Sequence, residues 1–364
     1  MNQALRIDHG PSAPDLAPQP TPLPDSTSPS APLSTSPKPR PALKLVKTTG
    51  MSRQDWLAVR ERGIGSSDAG AAVGLHPYKS QLALWMEKTG RGDALPQVDP
   101  NDDSNPMFWG TVLESIVASC YAKRTGFRVR RINAVLQHPS VPWMLANIDR
   151  EVTGSRDVQI LECKTAGING AYLWRDGVPE YVHLQVMHQL AVTGKQAADV
   201  AVLLGGQELS IHRIERDDVM IEQLIELEQV FWNYVVSDTP PPADGSESAD
   251  MALRRLYPRD NGTELDLSQD STLNAAFSDL LAVRRVLERN NELEGQLRQK
   301  IQQRMGEASK AVFELGKVSW KRSKDSQVLD IIGMSELHPE LVRQFTVPKS
   351  GSRRFLVTDG SRGL

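Results

Sequence analysis

Residues 159–165 read Gln-Ile-Leu-Glu-Cys-Lys-Thr, and this segment constrains the fold more tightly than any other. Its apolar, β-favouring composition predicts a strand. Side chains alternate across a strand, so Glu162 and Lys164 share one face while Leu161 and Cys163 turn to the other, into packing. A charged pair on one face of an otherwise apolar strand is costly unless water or a ligand meets it. The chain must therefore build a sheet that packs one side of this strand and opens the other where Glu162 and Lys164 emerge.

The surrounding pattern supplies such a sheet. Two extended segments precede it, at 127–137 and 143–152, and Gly154-Ser155-Arg156-Asp157 provides a tight turn into 158–165. Leu113, Ile116, Val117, Cys120 and Tyr121 recur at helical spacing, which predicts an amphipathic helix over 109–123. Pro179 opens a helix that runs to Thr193 and is ended by Gly194, and 199–205 reads as a buried strand. Upstream, Ser52 caps a short helix carrying Trp56, Leu57 and Val59. A Gly- and Ser-rich stretch over 63–70, a helix over 83–88 and a polar loop over 99–105 follow. The order helix, three strands, helix, strand predicts an α/β fold with a mixed central sheet flanked by helices.

Composition marks the limits of that domain. Residues 1–47 are dominated by Pro, Ser and Thr, bury too little apolar surface to offset their ordering entropy, and are expected to be disordered. A second break, Thr239-Pro240-Pro241-Pro242, opens a linker over 239–250, so the compact domain is expected at 48–238 and an accessory region at 251–364. In that region 273–305 predicts a long amphipathic helix or helical hairpin with Leu280, Leu287, Leu297 and Ile301 on its apolar side, suited to packing or self-association. Residues 312–324 alternate like a β-hairpin about Gly316, with Trp320 among Lys317, Lys321, Arg322 and Lys324. That mixture suits a nucleic-acid surface, and equally an ordinary half-buried tryptophan in a solvated hairpin.

A net charge of −3 excludes a global positive field, so any polyanion must be met by local basic patches. The two cysteines, Cys120 and Cys163, have no paired spacing, which argues against a disulfide framework or zinc site and fits a reducing cytoplasm. No apolar run is long enough to cross a membrane, and the N-terminus lacks the order of a signal peptide. The expected location is cytoplasmic.

The chemistry gathers at the second and third strands. Leu145-Ala146-Asn147-Ile148-Asp149 runs beside 159–165 and brings Asp149 alongside Glu162. Two hard carboxylates on neighbouring strands can hold Mg²⁺, or Mn²⁺ as a substitute, ions that prefer oxygen ligands and keep waters for a substrate phosphate. A lysine one pleat from the glutamate can orient an attacking water or help deprotonate it. A surface hairpin with a solvated ion pair would carry the same residues.

The full spacing goes further. Asp149, then thirteen positions on Glu162-Cys163-Lys164, resembles the PD-(D/E)xK nuclease superfamily, with Ile148 where a proline is usual. Arg60-Glu61-Arg62-Gly63-Ile64-Gly65-Ser66-Ser67-Asp68-Ala69 resembles the opening motif of the YqaJ-like viral recombinases, the phage lambda exonuclease-like group of that superfamily. Phe108-Trp109-Gly110-Thr111-Val112-Leu113-Glu114 is similar to their W/GxxxE helix, and His183-Leu184-Gln185-Val186-Met187-His188-Gln189-Leu190 to their QxQ/QxxxQ helix. The resemblance implies a metal-dependent, 5′→3′ double-stranded DNA exonuclease of phage-type recombination. Endonucleolytic cutting, or a non-catalytic DNA-end-binding module, stands as the alternative. It implies that Asp149, Glu162 and the Cys163 carbonyl bind metal, with Glu114 as a further acidic ligand, direct or through water. Lys164 and Gln185 would place the nucleophilic water, and Arg60 and Ser67 would hold the 5′-phosphate of a DNA end. The implied partners are duplex ends and a single-strand annealing recombinase, and ring-shaped homo-oligomers occur in the group. Glu114, Asp149, Glu162 and Lys164 are all present, which favours an enzyme over a binding module.

Overall fold

The chain is described here from a computed structural model, which covers residues 41–349 and 351–358. Its elements are β1 (Leu43–Lys47), α1 (Arg53–Glu61), β2 (Ile64–Gly65), α2 (Ala69–Ala72), α3 (Gln81–Lys88), α4 (Pro106–Thr125), β3 (Arg128–Arg130), β4 (Ala134–Gln137), β5 (Met144–Ala146), β6 (Arg150–Thr153) and β7 (Ile160–Ala166). They continue with α5 (Glu180–Thr193), β8 (Ala197–Leu204), β9 (Glu208–Glu215), α6 (Asp218–Val236), α7 (Glu247–Leu256), α8 (Ser271–Met305), β10 (Lys310–Phe313), β11 (Gly316–Ser319), α9 (Ile331–Leu337) and α10 (Pro339–Phe345).

The chain is α/β, as the element order predicts. A five-stranded mixed sheet has the order β3-β6-β7-β8-β9, in which β7 and β8 are parallel and the other neighbours antiparallel. A smaller sheet has the order β1-β4-β5-β2. Parallel β7 and β8 need a crossover connection, and α5 supplies it. This helix is buried on nearly every side, with Val182 and the whole run Gln185 to Thr193 inaccessible, the signature of a helix enclosed by other elements. Gly194 ends it in a left-handed turn at φ 66°.

The alternation read in β7 is realised. Leu161 packs with Val117, Ala118 and Tyr121 of α4, and Cys163 lies against the same cluster. Ile160 turns the other way, into the main core with Val186, Leu190 and Val200. Glu162 and Lys164 follow Ile160 onto that second face, beside α5.

Several expected elements take a different form. The segments 127–137 and 143–152 each split, because the chain passes between sheets. β3 and β6 belong to the five-stranded sheet, β4 and β5 to the smaller one. Asp149 sits at the crossing between β5 and β6. Residues 1–40 of the expected disordered tail lie outside the described residues, but 43–47 form β1, paired antiparallel with β4. The cause lies in the backbone: Leu43, Lys44, Val46 and Lys47 pair with β4 and complete an edge that β4 leaves open, while most of their side chains stay exposed. The expected linker is free of helix and strand only through Gly245. From Ser246, the N-cap, residues Glu247–Leu256 fold as α7, which buries Ala249 and Ala252 and is tied to the core where the Ser80 N–H donates to the Ser248 hydroxyl at 2.9 Å. The long C-terminal element is a single helix, α8, followed by the β10–β11 hairpin about Gly316.

Candidate active site

Arg60, Ser67, Glu114, Asp149, Glu162, Cys163, Lys164 and Gln185 all line one cleft of about 450 Å³. They come from six separate places in the chain. The structure brings together every site residue expected from the sequence.

At the centre Glu162 is 3 % exposed. Its Oε1 accepts from Gln185 Nε2 at 2.6 Å and faces Lys164 Nζ at 2.9 Å, and its Oε2 accepts from Gln189 Nε2 at 2.8 Å. Lys164 also donates to Gln185 Oε1 at 2.8 Å, which closes a ring of three side chains. Burial disfavours a charged ammonium, but the Glu162 carboxylate outweighs it and holds Lys164 above its ordinary value. The lysine is therefore a hydrogen-bond donor here.

Asp149 stands beside this ring. Its Oδ2 accepts from the Cys163 N–H at 2.8 Å. Burial, and then the nearby negative charges of Glu162 and Glu114, push its carboxyl up to about 8. Two mutually repelling buried carboxylates fit a divalent cation, which relieves the repulsion and asks for oxygen donors. Asp149 and Glu162 are the side chains that would hold one. The Cys163 thiol lies on the opposite face of the strand, where burial and then the Asp149 charge push its pKa up.

Glu114, on α4, is in the cleft but engaged: Arg150 Nη1 lies 2.5 Å and Arg131 Nη2 3.3 Å from its Oε1. Among the described residues no three His, Cys, Asp or Glu side chains are gathered as a metal cage.

The Arg60 end of the cleft is built on a buried ion network. Arg60 Nη2 lies 2.7 Å from Asp68 Oδ2 and donates to the Ser67 hydroxyl at 3.0 Å, while its guanidinium sits 4.9 Å over the Trp56 ring. Lys88 Nζ lies 2.8 Å from the same Asp68 oxygen. Burial alone would push Asp68 up, but the charges of Arg60, Lys88 and Lys79 hold it well below the usual carboxylate range. Of the adjacent serines, Ser66 is buried and Ser67 is exposed to the cleft. Gly63 is required by space: a Cβ there would sit 2.3 Å from the Trp143 carbonyl oxygen.

Sequence reasoning did not assign Asp68, Lys88, Arg150 or Gln189. Only Gln189 carried a usable signal, because it lies one turn from Gln185 on the same helical face. His188 is turned away from the cleft. Its Nδ1 meets Glu228 at 2.7 Å and its Nε2 meets the Leu145 carbonyl at 2.8 Å.

A mixed sheet whose central strand carries Glu162 and Lys164, faced by a glutamine-bearing crossover helix, is the architecture that the sequence motifs led us to expect. Comparison with known proteins agrees: residues 55–196 match the YqaJ-like viral recombinase domain. The protein YqaJ of Bacillus subtilis (strain 168), described as uncharacterized, is 39 % identical over 230 residues, 62 % of this chain and 70 % of the relative. The chain belongs to the YqaJ-like viral recombinase family. Among solved structures, the alkaline exonuclease of Laribacter hongkongensis is 21 % identical with a TM-score of 0.42, over 51 % of this chain and 93 % of its own. A phage-related exonuclease from Haemophilus somnus 129PT is 11 % identical with a TM-score of 0.34, over 50 % of this chain and 99 % of its own.

Proposed function

We propose that this chain is a metal-dependent deoxyribonuclease that hydrolyses duplex DNA from its ends, 5′→3′, in phage-type recombination. The observation that carries the reading is the cleft itself, which unites the Asp149 and Glu162 carboxyl groups, a hydrogen-bonded ammonium, and a guanidinium beside a hydroxyl. These groups suit metal-assisted phosphodiester hydrolysis, and family membership supports their assignment to DNA.

When bound, Mg²⁺ or Mn²⁺ supplies Lewis-acid polarisation of the scissile phosphate and a more acidic water. The remaining work falls to the chain. Asp149 and Glu162 hold the ion. Gln185 and Gln189 donate to the two Glu162 oxygens, so the carboxylate is oriented before any ligand arrives. Lys164, fixed between Glu162 and Gln185, would use its third donor to orient the water or the phosphate. Arg60 and Ser67 take the terminal 5′-phosphate, for which a guanidinium fork and a hydroxyl are suited. Asp68 fixes the direction of Arg60.

Incubation of the full chain with an end-labelled linear duplex, with and without Mg²⁺, tests the reading. Metal-dependent release of 5′-mononucleotides supports it. No loss of label at any metal concentration would point to a DNA-end-binding module, and efficient cutting of closed circles to an endonuclease.

A further inference from the structure

Three carboxylates face the cleft, and the structure treats them unequally. Asp149 accepts from a main-chain N–H, and Glu162 from two neutral amides with one ammonium alongside. Glu114 alone is met by guanidinium groups. Of these, Arg131 is largely exposed and contributes little, whereas the Arg150 side chain is only 8 % exposed. The same Arg150 Nη1 also donates to the Asp149 carbonyl at 2.6 Å. Arg150 directly follows Asp149 in the chain and opens β6, so its position is tied to that of the aspartate.

A guanidinium is permanently charged and has no acceptor. If Glu114 moved onto a metal ion, Arg150 would be left buried, unpaired and next to a second cation, and a broken buried ion pair is strongly unfavourable. From this we infer that Arg150 is a positioning residue whose pairing with Glu114 withholds the third carboxylate from the metal. Among the described residues, Asp149 and Glu162 are then the side-chain ligands left to the ion. The inference rests on the metal-dependent reading above and departs from the ligand set that the family resemblance implies for Glu114.

Mn²⁺ binding to the full chain without DNA, followed by calorimetry and by the electron paramagnetic resonance of free Mn²⁺, separates the possibilities. The expected order is that D149N weakens binding more than tenfold, whereas E114Q, which leaves the Arg150 charge without its partner near the ion, weakens it by less than D149N does. R150Q frees Glu114 and should bind Mn²⁺ several-fold more tightly than wild type, and the double variant E114Q/R150Q should return to the wild-type value. A merely structural arginine would not yield tighter binding that disappears in the double variant. E114Q weakened as far as D149N, or a folded R150Q that binds no tighter than wild type, overturns the inference. Should one single variant fail to fold by circular dichroism, the other decides, and the double variant carries neither charge to strand. A wild-type chain that binds no Mn²⁺ would remove the metal-dependent reading itself, a different result from a wild type that binds one ion with Glu114 among its ligands.

Discussion

The nuclease-like core and the C-terminal arm are stabilised by different physics. From Leu43 to Leu256 the chain buries two apolar clusters, and among them an ordered set of charged and amide side chains. Beyond Leu256, Met305 is the only buried residue among those described. α8 is 35 residues long, is capped by the Asp270 side chain at its start, and leaves Leu273, Phe277, Leu287 and Leu297 each roughly half exposed. Its order comes from local helix propensity and capping, whereas the core is held by contacts between residues far apart in sequence. The β10–β11 hairpin is two-stranded, a form marginally stable alone in water. The comparison teaches that site geometry in this protein resides in the core and that the arm is available for other work.

The sharpest break of that comparison is to remove chemistry from the core without unfolding it. Asp149→Ala and Lys164→Ala should each lower metal-dependent digestion by at least about 100-fold, the scale of losing a preorganised electrostatic group. Circular dichroism should remain that of the wild type. Wild-type rates in either variant would show that the cleft is not the reacting site.

End selection comes next in size. A charge-assisted hydrogen bond is worth about 1.5–3 kcal/mol, so 5′-phosphorylated duplex should be digested about tenfold faster than 5′-hydroxyl duplex. Arg60→Ala should erase that difference while Lys88 continues to satisfy Asp68. Equal rates for the two ends with the wild-type chain would refute the phosphate grip.

The pH dependence of metal binding probes the same centre. The Asp149 carboxyl is raised from its ordinary 3.8 to about 8 in the metal-free fold, so the folded chain binds a proton there that the unfolded chain has lost. Stability of the metal-free protein from this group is therefore present at low pH and declines as pH rises from about 4 through about 8. A metal ion must displace that proton, so Mg²⁺ affinity should climb by up to about tenfold per pH unit below about 8 and level off above. Calorimetry in buffers of different ionisation enthalpy reads the released proton, and binding independent of pH would contradict the assignment.

Truncation gives the smallest effects and addresses the arm. Ending the chain after Tyr257 should leave Tm and Mg²⁺ affinity unchanged. Ending it after Asp238 should lower Tm by several degrees, because α7 no longer covers α3. If the basic hairpin around Trp320 touches DNA, the chain ending at Tyr257 should bind duplex more weakly and with a shallower salt dependence, since fewer counterions are released. An unchanged salt slope would exclude the hairpin from the DNA-binding surface.

Much of the core was legible from local patterns. Period-two alternation placed Glu162 and Lys164 on one face of β7 and Leu161 and Cys163 on the other, because a strand leaves side chains no further choice. Ser52, Pro179 and Gly194 marked helix ends through caps and φ restrictions that operate within a few residues. The spacing from Asp149 to Lys164 set the candidate site for the same reason: the turn between the strands is short.

Pairings across long stretches of chain were decided only by the tertiary structure. Nothing near Leu43 announces that it pairs with Gln137. No local pattern divides 127–137 and 143–152 between two sheets, since either half is an acceptable strand and packing against α5 selects the break. Glu114 looked like any boundary glutamate of an amphipathic helix, and its partner lies 36 residues away. Which carboxylate meets a guanidinium and which is left to repel its neighbour depends on burial and on the low dielectric of the assembled cleft, quantities that exist only once the chain has folded.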